Sequence, residues 1–233
     1  KERKAVYRVE TAKAAILRKT AEKYVTKGMD YYRAHGLSAL GAKVYRKFFT
    51  DKEKPVDYQK WIQKHLPGPG ELEKQRKTVF EKQPVFSIVV PLYKTPEKFL
   101  EELIRSVQAQ TYSFWELCLS DGSGKDSCLA ALLEKYQAED SRIQVISHEE
   151  PLKISENTNA AIQAATGEYL VFADHDDVLT PNALFECAKV MNEHPETDVL
   201  YSDEDKMTMD GNKFFQPHMK PDFNPDLLCT VNY

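Results

Sequence analysis

The chain has 233 residues, 42% of them hydrophobic and 29% charged, with a formal net charge of −4. This is the composition of a globular protein, long enough for one α/β domain with an appendage or for two small domains. It excludes a fibrous or low-complexity chain, and no apolar run approaches the roughly 20 residues of a membrane span.

The N-terminus, Lys1-Glu2-Arg3-Lys4, is not followed by the apolar core of a secretory signal. The chain does not begin with Met, so it is expected to be a piece of something longer. Its charge is uneven: residues 1–80 hold 20 Lys+Arg against 9 Asp+Glu, and residues 81–233 hold 12 against 27. Such a split points to two regions with different roles. The basic region can face an anionic membrane surface, a polyanion or the acidic region itself. Nucleic acid is not expected, because no recognised binding motif accompanies the charge. Cys118, Cys128, Cys187 and Cys229 lack metal-type spacing and read as reduced core cysteines of a cytosolic protein.

In residues 1–50, Val6, Val9, Ala12 and Ile16 recur at helical spacing, and Tyr24, Tyr31, Tyr32, Leu37, Leu40, Val44, Tyr45 and Phe48 follow. Two or three helices are expected, broken near Gly36 and at Gly28. They read as an appendage packed on the main domain; the alternative is a helix lying on a membrane surface. Tyr58 to Leu66 and Glu71 to Phe80 are short helices around the Pro67-Gly-Pro-Gly70 break. A domain boundary is placed near Pro84, giving a basic helical region over 1–83 and a second domain over 84–233.

From there strands and helices alternate. Strands are expected at Phe86–Leu92, Trp115–Leu119, Ile143–Ile146, Tyr169–Ala173 and Asp198–Ser202. Helices open at Pro96 (with Phe99, Leu100, Leu103, Ile104 and Val107 as the apolar face) and run through Leu129–Tyr136, Ser155–Ala165 and Ala183–Met191. Asp210-Gly211 is a strong turn pair for a hairpin over Met207–Phe215. Apolar strands alternating with helices imply a mostly parallel sheet covered on both faces.

In open sheets of this kind ligands bind beyond the carboxyl ends of the strands. Three segments fall there: Pro91-Leu-Tyr-Lys94, Ser120-Asp-Gly-Ser123 and Asp174-His-Asp-Asp177. Adjacent carboxylates repel, and a cation relieves that repulsion. Mg²⁺ and Mn²⁺ take oxygen ligands, typically one or two carboxylates plus substrate phosphates. The acidic segment therefore reads as a metal–phosphate site rather than only a solvated loop before the helix opened by Thr180-Pro181. Asp121 can accept from a base N–H or a ribose hydroxyl, with Gly122 and Gly124 allowing close backbone approach; a tight turn uses the same residues. Lys153, ahead of the helix carrying Asn157 and Asn159, can meet a phosphate, or be a plain surface lysine. Asn159 reads as bonding a neighbouring loop. Tyr201-Ser-Asp-Glu-Asp-Lys206 is a second acidic cluster, expected at the end of the fifth strand. His175 should point away from Asp174 and Asp176 if the segment is extended, and it is not proposed as a ligand.

Taken together, Phe86-Ser-Ile-Val-Val-Pro-Leu-Tyr93, Ser120-Asp-Gly-Ser123, Asn159-Ala-Ala-Ile-Gln-Ala-Ala-Thr-Gly-Glu-Tyr169 and Asp174-His-Asp-Asp177 resemble the family 2 glycosyltransferases, which have the GT-A fold. The match covers roughly residues 84–233. Tyr201–Lys206 and Lys220-Pro-Asp-Phe-Asn-Pro-Asp-Leu-Leu228 look like the bacterial branch that builds cell-surface polysaccharides, rhamnose-containing ones included. Tyr58-x-x-Trp61 is similar to the lead-in of that branch.

The resemblance implies an α/β GT-A domain and an inverting transfer from a nucleotide-diphosphate sugar, UDP- or dTDP-linked, to a glycan or lipid-linked acceptor. It also implies a cytoplasmic enzyme, with peripheral membrane contact through the basic N-terminal region. Pro91 and Tyr93 would line the nucleotide, Asp121 would contact the base, and Lys153 would assist. Asp174 and Asp176 would hold ribose or sugar hydroxyls and a Mn²⁺ or Mg²⁺ ion, with Asp176 the direct ligand. The sequence departs from the family in two places. The usual Asp-Asp-Gly-Ser is Ser120-Asp-Gly-Ser here. The acidic catalytic base of a later segment is expected beyond Tyr233, so neither Glu204 nor Asp205 is given that role, and the chain alone is expected to bind donor without completing transfer.

Two rivals are set aside. A haloacid dehalogenase-type phosphatase would need Gly-Thr after its second Asp, on the first strand. A dinucleotide-binding dehydrogenase would need G-x-G-x-x-G after a strand. A non-catalytic, degenerate transferase domain serving as a scaffold is the alternative from another class.

Overall fold

The computed structural model describes residues 23, 25–43, 56–125 and 127–230. The chain divides into two units, Lys1–Asp57 and Tyr58–Tyr233.

In the first unit residues 25–43 are helical (α1). Gly36 adopts a left-handed backbone, φ 79°, where the sequence expected a break, while Gly28 sits inside the helix. Expectations for residues 1–22 and 44–50 lie outside the described residues. No described residue of this unit is buried.

The second unit opens with α2 (Tyr58–His65), which ends before the Pro67–Gly70 break, and α3 (Pro69–Lys77), which begins within it. Both are fastened to later parts of this unit. The Tyr58 hydroxyl donates to Asp205 at 2.6 Å. The Thr111 hydroxyl donates to the buried Gln75 side chain at 2.9 Å. Phe80, just after α3, packs its ring on Tyr112 and Phe185.

Four strands follow: β1 (Phe86–Leu92), β2 (Trp115–Asp121), β3 (Ile143–Ser147) and β4 (Tyr169–Phe172). They form one parallel sheet in the order β3-β2-β1-β4. The helices between and after them are α4 (Glu97–Gln108), α5 (Ala130–Glu139), α6 (Ile154–Ala164) and α7 (Ala183–Glu193). Side chains alternate across a strand, and the core divides accordingly. Phe86, Ile88, Val90 and Leu92 of β1, with Leu117 and Leu119 of β2, pack on apolar residues of α4, α5 and α7. Val89 and Cys118 face the other way, onto Ala161 of α6. Apolar residues on both faces of β1 and β2 thus force helices onto both sides.

From β1 the chain builds outward through β2 to β3, then returns through α6 to place β4 on the opposite flank of β1. That reversal is the place where a ligand crevice forms in doubly wound sheets. On β4, Tyr169 and Val171 pack against the larger core, whereas Leu170 and Phe172 are 40% and 65% exposed. β4 is a sheet edge among the described residues.

The fifth strand expected at Asp198–Ser202 does not form. Those residues lie outside any strand, with Val199 73% exposed. An apolar triplet reads the same for a buried strand and for a surface loop, and here no neighbour pairs with it. The acidic cluster therefore begins a strand instead of ending one. β5 (Glu204–Met207) pairs antiparallel with β6 (Phe214–His218) around the expected Asp210-Gly211 turn, Gly211 taking φ 72°. A short α8 (Pro225–Leu228) follows, capped by the Asn224 side chain accepting from the Leu227 N–H at 3.0 Å. All four cysteines are free, but only Cys118 is buried; Cys128 and Cys229 are exposed, which corrects the core reading for those two.

Candidate functional site

The register sets the site. Leu92 and Asp121 pair as the last residues of β1 and β2, so both strands release their loops at one level. The Gly122 N–H and the Asn157 carboxamide both donate to the Leu92 carbonyl, at 3.0 and 2.8 Å. The Lys94 N–H donates to the Ser123 hydroxyl at 2.9 Å, and the Leu152 N–H to the Gly122 carbonyl at 3.0 Å. These bonds gather Pro91–Lys94, Asp121–Ser123 and the start of α6 beside Lys153 into one cluster. Lys94 holds φ 49°, a left-handed backbone unusual for a non-glycine residue. Strain of this kind persists where surrounding structure over-determines it, often at a site.

Each predicted residue can now be placed. Pro91 is half-buried at the end of β1, and Tyr93 is exposed with the Lys94 ammonium 5.3 Å from its ring centre. Lys153 is exposed at the N-cap of α6, its backbone N–H donating to Glu156 at 3.0 Å. Asp121 is only 2% exposed. It accepts from the Ser123 N–H at 3.0 Å and, through its other oxygen, from the Ser127 hydroxyl. Both carboxylate oxygens thus shape the β2 exit loop, and only their remaining lone pairs are left for a ligand. Ser120 is fully buried, its hydroxyl 2.9 Å from Nε2 of His148.

Asp174 and Asp176 follow β4, the strand beside β1, and both are exposed. His175 and Asp176 form a turn, closed by the Asp177 N–H donating to the Asp174 carbonyl at 3.2 Å. The extended geometry that would have sent His175 away is therefore absent, and its Nδ1 lies 3.8 Å from the Asp176 carboxylate. The Asp177 carboxyl is pushed above its ordinary pKa, first by desolvation and then by the charges of Asp174 and Asp176. No hydrogen bond or ion pair among the described residues joins Asp174 or Asp176 to Tyr93, Asp121 or Lys153.

Among the described residues, three buried side-chain atoms lack a hydrogen-bond partner: Thr95 Oγ1, Asn157 Oδ1 and His175 Nδ1. Thr95 follows β1, Asn157 lies in the first turns of α6, and His175 follows β4, so all three stand at the carboxyl end of the sheet. Buried polar groups in native structures are nearly always paired, and an exception asks for an explanation. Sequence reasoning passed over Thr95 and gave the loop-bonding task to Asn159, which is exposed; Asn157 performs it. The spacing of Asn157 from Lys153, one helical turn into α6, was the available signal.

In the hairpin, Glu204 lies 3.1 Å from His218 and 3.4 Å from Lys220, and its pKa is lowered, chiefly by the hydrogen bond with His218. Asp205 accepts from Tyr58. Both carboxylates are engaged within this unit.

An open parallel sheet with helices on both faces, a reversal beside β1 and an acidic turn after β4 define a doubly wound α/β domain. The profile of glycosyl transferase family 2 matches residues 87–226, and the chain belongs to that family. Its α/β architecture is that family's GT-A fold. The chain is 41% identical over 150 residues to an uncharacterized protein, y4gI, of Sinorhizobium fredii, covering 64% of this chain and 16% of that one. It is 32% identical over 178 residues to the O-antigen biosynthesis protein RfbC of Myxococcus xanthus, covering 76% of this chain and 14% of that one. The crystal structure of S. aureus TarS residues 1–349 with UDP-GlcNAc is 29% identical, covers 48% of this chain and 32% of that one, and superposes with a TM-score of 0.43. The chain therefore spans about one sixth of the length of the two curated relatives.

Proposed function

We propose that this chain carries the donor-binding part of an inverting glycosyltransferase that builds a cell-surface polysaccharide. Family membership supports sugar transfer, and the O-antigen name of a relative supports the polysaccharide. The observation that supports the reading is that Thr95 Oγ1, Asn157 Oδ1 and His175 Nδ1, buried without a hydrogen-bond partner among the described residues, belong to segments at the carboxyl end of one sheet.

The donor is a nucleoside-diphosphate sugar, UDP- or dTDP-linked, and a hexosyl or rhamnosyl group is transferred to a glycan or lipid-linked acceptor. Pro91 and Tyr93 offer an apolar and aromatic wall for the base. Asp121 fixes the neighbouring loop and keeps lone pairs for a base or ribose donor. Lys153 places a cation at the N-terminus of α6, where the helix dipole also favours an anion. In an inverting step the acceptor oxygen bonds the anomeric carbon as the bond to the diphosphate oxygen breaks, and a base takes the hydroxyl proton. None of the carboxylates described here is assigned as that base.

The donor set suits Mn²⁺ or Mg²⁺. Asp174 and Asp176 are exposed oxygen donors two residues apart in one turn, raising the pKa of Asp177 by their charge. No group of three or more His, Cys, Asp or Glu forms a candidate metal cage among the described residues. Ions of this kind typically bind through one or two carboxylates and complete their shell with substrate phosphates and water. Asp176 and Asp174 would hold the ion, which would supply charge neutralisation for the leaving diphosphate.

The basic N-terminal region is read as resting on the anionic inner face of the cell membrane. Its excess of Lys and Arg and the exposed Val25, Met29 and Leu37 of α1 support this. No described helix is long and apolar enough to cross a membrane.

Calorimetric titration with a panel of nucleoside diphosphates, with and without Mn²⁺, tests the proposal. One nucleotide is expected to bind in a metal-dependent way, with at least a tenfold loss in Asp176→Ala. Absence of binding by every nucleotide would favour the scaffold reading instead.

A further inference from the structure

We propose that Asn157 is a positioning residue for the nucleotide pocket, holding the β1 and β2 exit loops at the separation the donor needs. The inference rests on the donor-binding reading above. Asn157 is 1% exposed, deeper than any other side chain on α6 except Ala161. Its Nδ2 donates to the Leu92 carbonyl at 2.8 Å, and since a carbonyl only accepts, this bond fixes which end of the carboxamide is nitrogen.

The other end, Oδ1, is buried without a partner. A buried amide satisfied at one end only is a costly way to fill space, because the idle acceptor has lost its water. The carboxamide therefore serves placement better than it serves stability.

What it places is specific. A Cβ on Gly122 would stand 2.8 Å from Asn157 Cγ and Nδ2, so the carboxamide lies flat against a glycine that has no room for a side chain. Leu92 and Gly122 are joined through the Gly122 N–H at 3.0 Å, and the Leu152 N–H returns to the Gly122 carbonyl at 3.0 Å. Flanking this knot stand Tyr93, the first residue after β1, and Asp121, the last residue of β2. A shift of the Asn157 head moves both walls against each other, and removal of it frees the Leu92 carbonyl to turn.

Three variants test this by nucleoside-diphosphate titration of the whole chain with Mn²⁺, alongside urea unfolding. Asn157→Asp keeps the shape but sets an oxygen against the Leu92 carbonyl. Asn157→Ala removes the head, and Gly122→Ala presses on it from the opposite side. Gln110→Ala serves as a control, because Gln110 bonds Ser106 and Thr180 away from these loops while contributing to folding. All three test variants are expected to lose at least tenfold in affinity, with the control unchanged at comparable destabilisation. If the wild type binds and the variants bind as it does, or lose no more than the control, the positioning role is wrong while the donor-binding reading survives. If the wild type binds no nucleotide, both fall.

Discussion

Glu116, at the amino end of the parallel sheet, and the acidic turn after β4, at its carboxyl end, hold their carboxylates in opposite ways. At the amino end Glu116 is 7% exposed and fully engaged. It accepts from the Ser87 hydroxyl at 2.6 Å, the Gln144 amide at 2.7 Å, the Thr166 hydroxyl at 2.9 Å and the Gly167 N–H at 3.0 Å. Burial pushes its pKa up, but the hydrogen bonds from Ser87, Thr166 and Gly167 together outweigh that, and the net shift is downward. At the carboxyl end Asp174, Asp176 and Asp177 face solvent, and Asp177 is shifted upward. One carboxylate closes β1, β2 and the entry to β4 into a single unit. The other three stand close together in one exposed turn, the arrangement proposed above to receive a cation.

The sharpest way to break this contrast is to remove one carboxylate from each end. Glu116→Ala strands a ring of buried donors and is expected to cost about 3–5 kcal/mol, the range for orphaning a buried charged network. Asp176→Ala should change unfolding free energy by no more than about 0.5 kcal/mol, as for an exposed surface position. Urea unfolding of both proteins reads the difference; equal costs would erase the distinction.

Acid separates the two ends next. The folded pKa of Glu116 is depressed, so its contribution is complete above the ordinary carboxyl pKa and is lost as pH falls through the folded value. The folded pKa of Asp177 is raised, so it opposes folding as pH climbs from the ordinary value through the raised one. Glu116→Gln should flatten the loss of stability on acidification, and Asp177→Asn should raise stability near neutral pH, both read from urea midpoints across about pH 3–7. A modest effect is expected away from both ends. Tyr58→Phe removes one bond between α2 and Asp205 and should cost about 1 kcal/mol in the same assay.

Much of this was legible in residue order. β1, α4 and the Asp210-Gly211 hairpin follow from apolar spacing and turn chemistry, and Ser120–Ser123 and Asp174–Asp177 stand after strands as their motifs imply. What escaped depended on neighbours distant in sequence. Asp198–Ser202 had the composition of a strand but no partner in the sheet. Glu116 reads as an ordinary polar residue of an alternating strand until Thr166 and Gly167, 50 residues on, turn their N–H groups toward it. Asn157 and Asn159 share one helix, and only packing against Gly122 tells which of them faces inward.

Phe172 and Leu170 give the acidic turn a second meaning. β4 carries apolar side chains on a bare face and pairs through one side only among the described residues, the combination that invites extended segments of other chains to join a sheet. Glu168 stands just before this strand, and Asp174, Asp176 and Asp177 follow it. Charge at both ends of a sticky strand is how sequences discourage aggregation. The carboxylates proposed to receive a metal ion also act as gatekeepers of solubility, so neutralising all of them at once would trade a silent site for a chain that clings to its own copies.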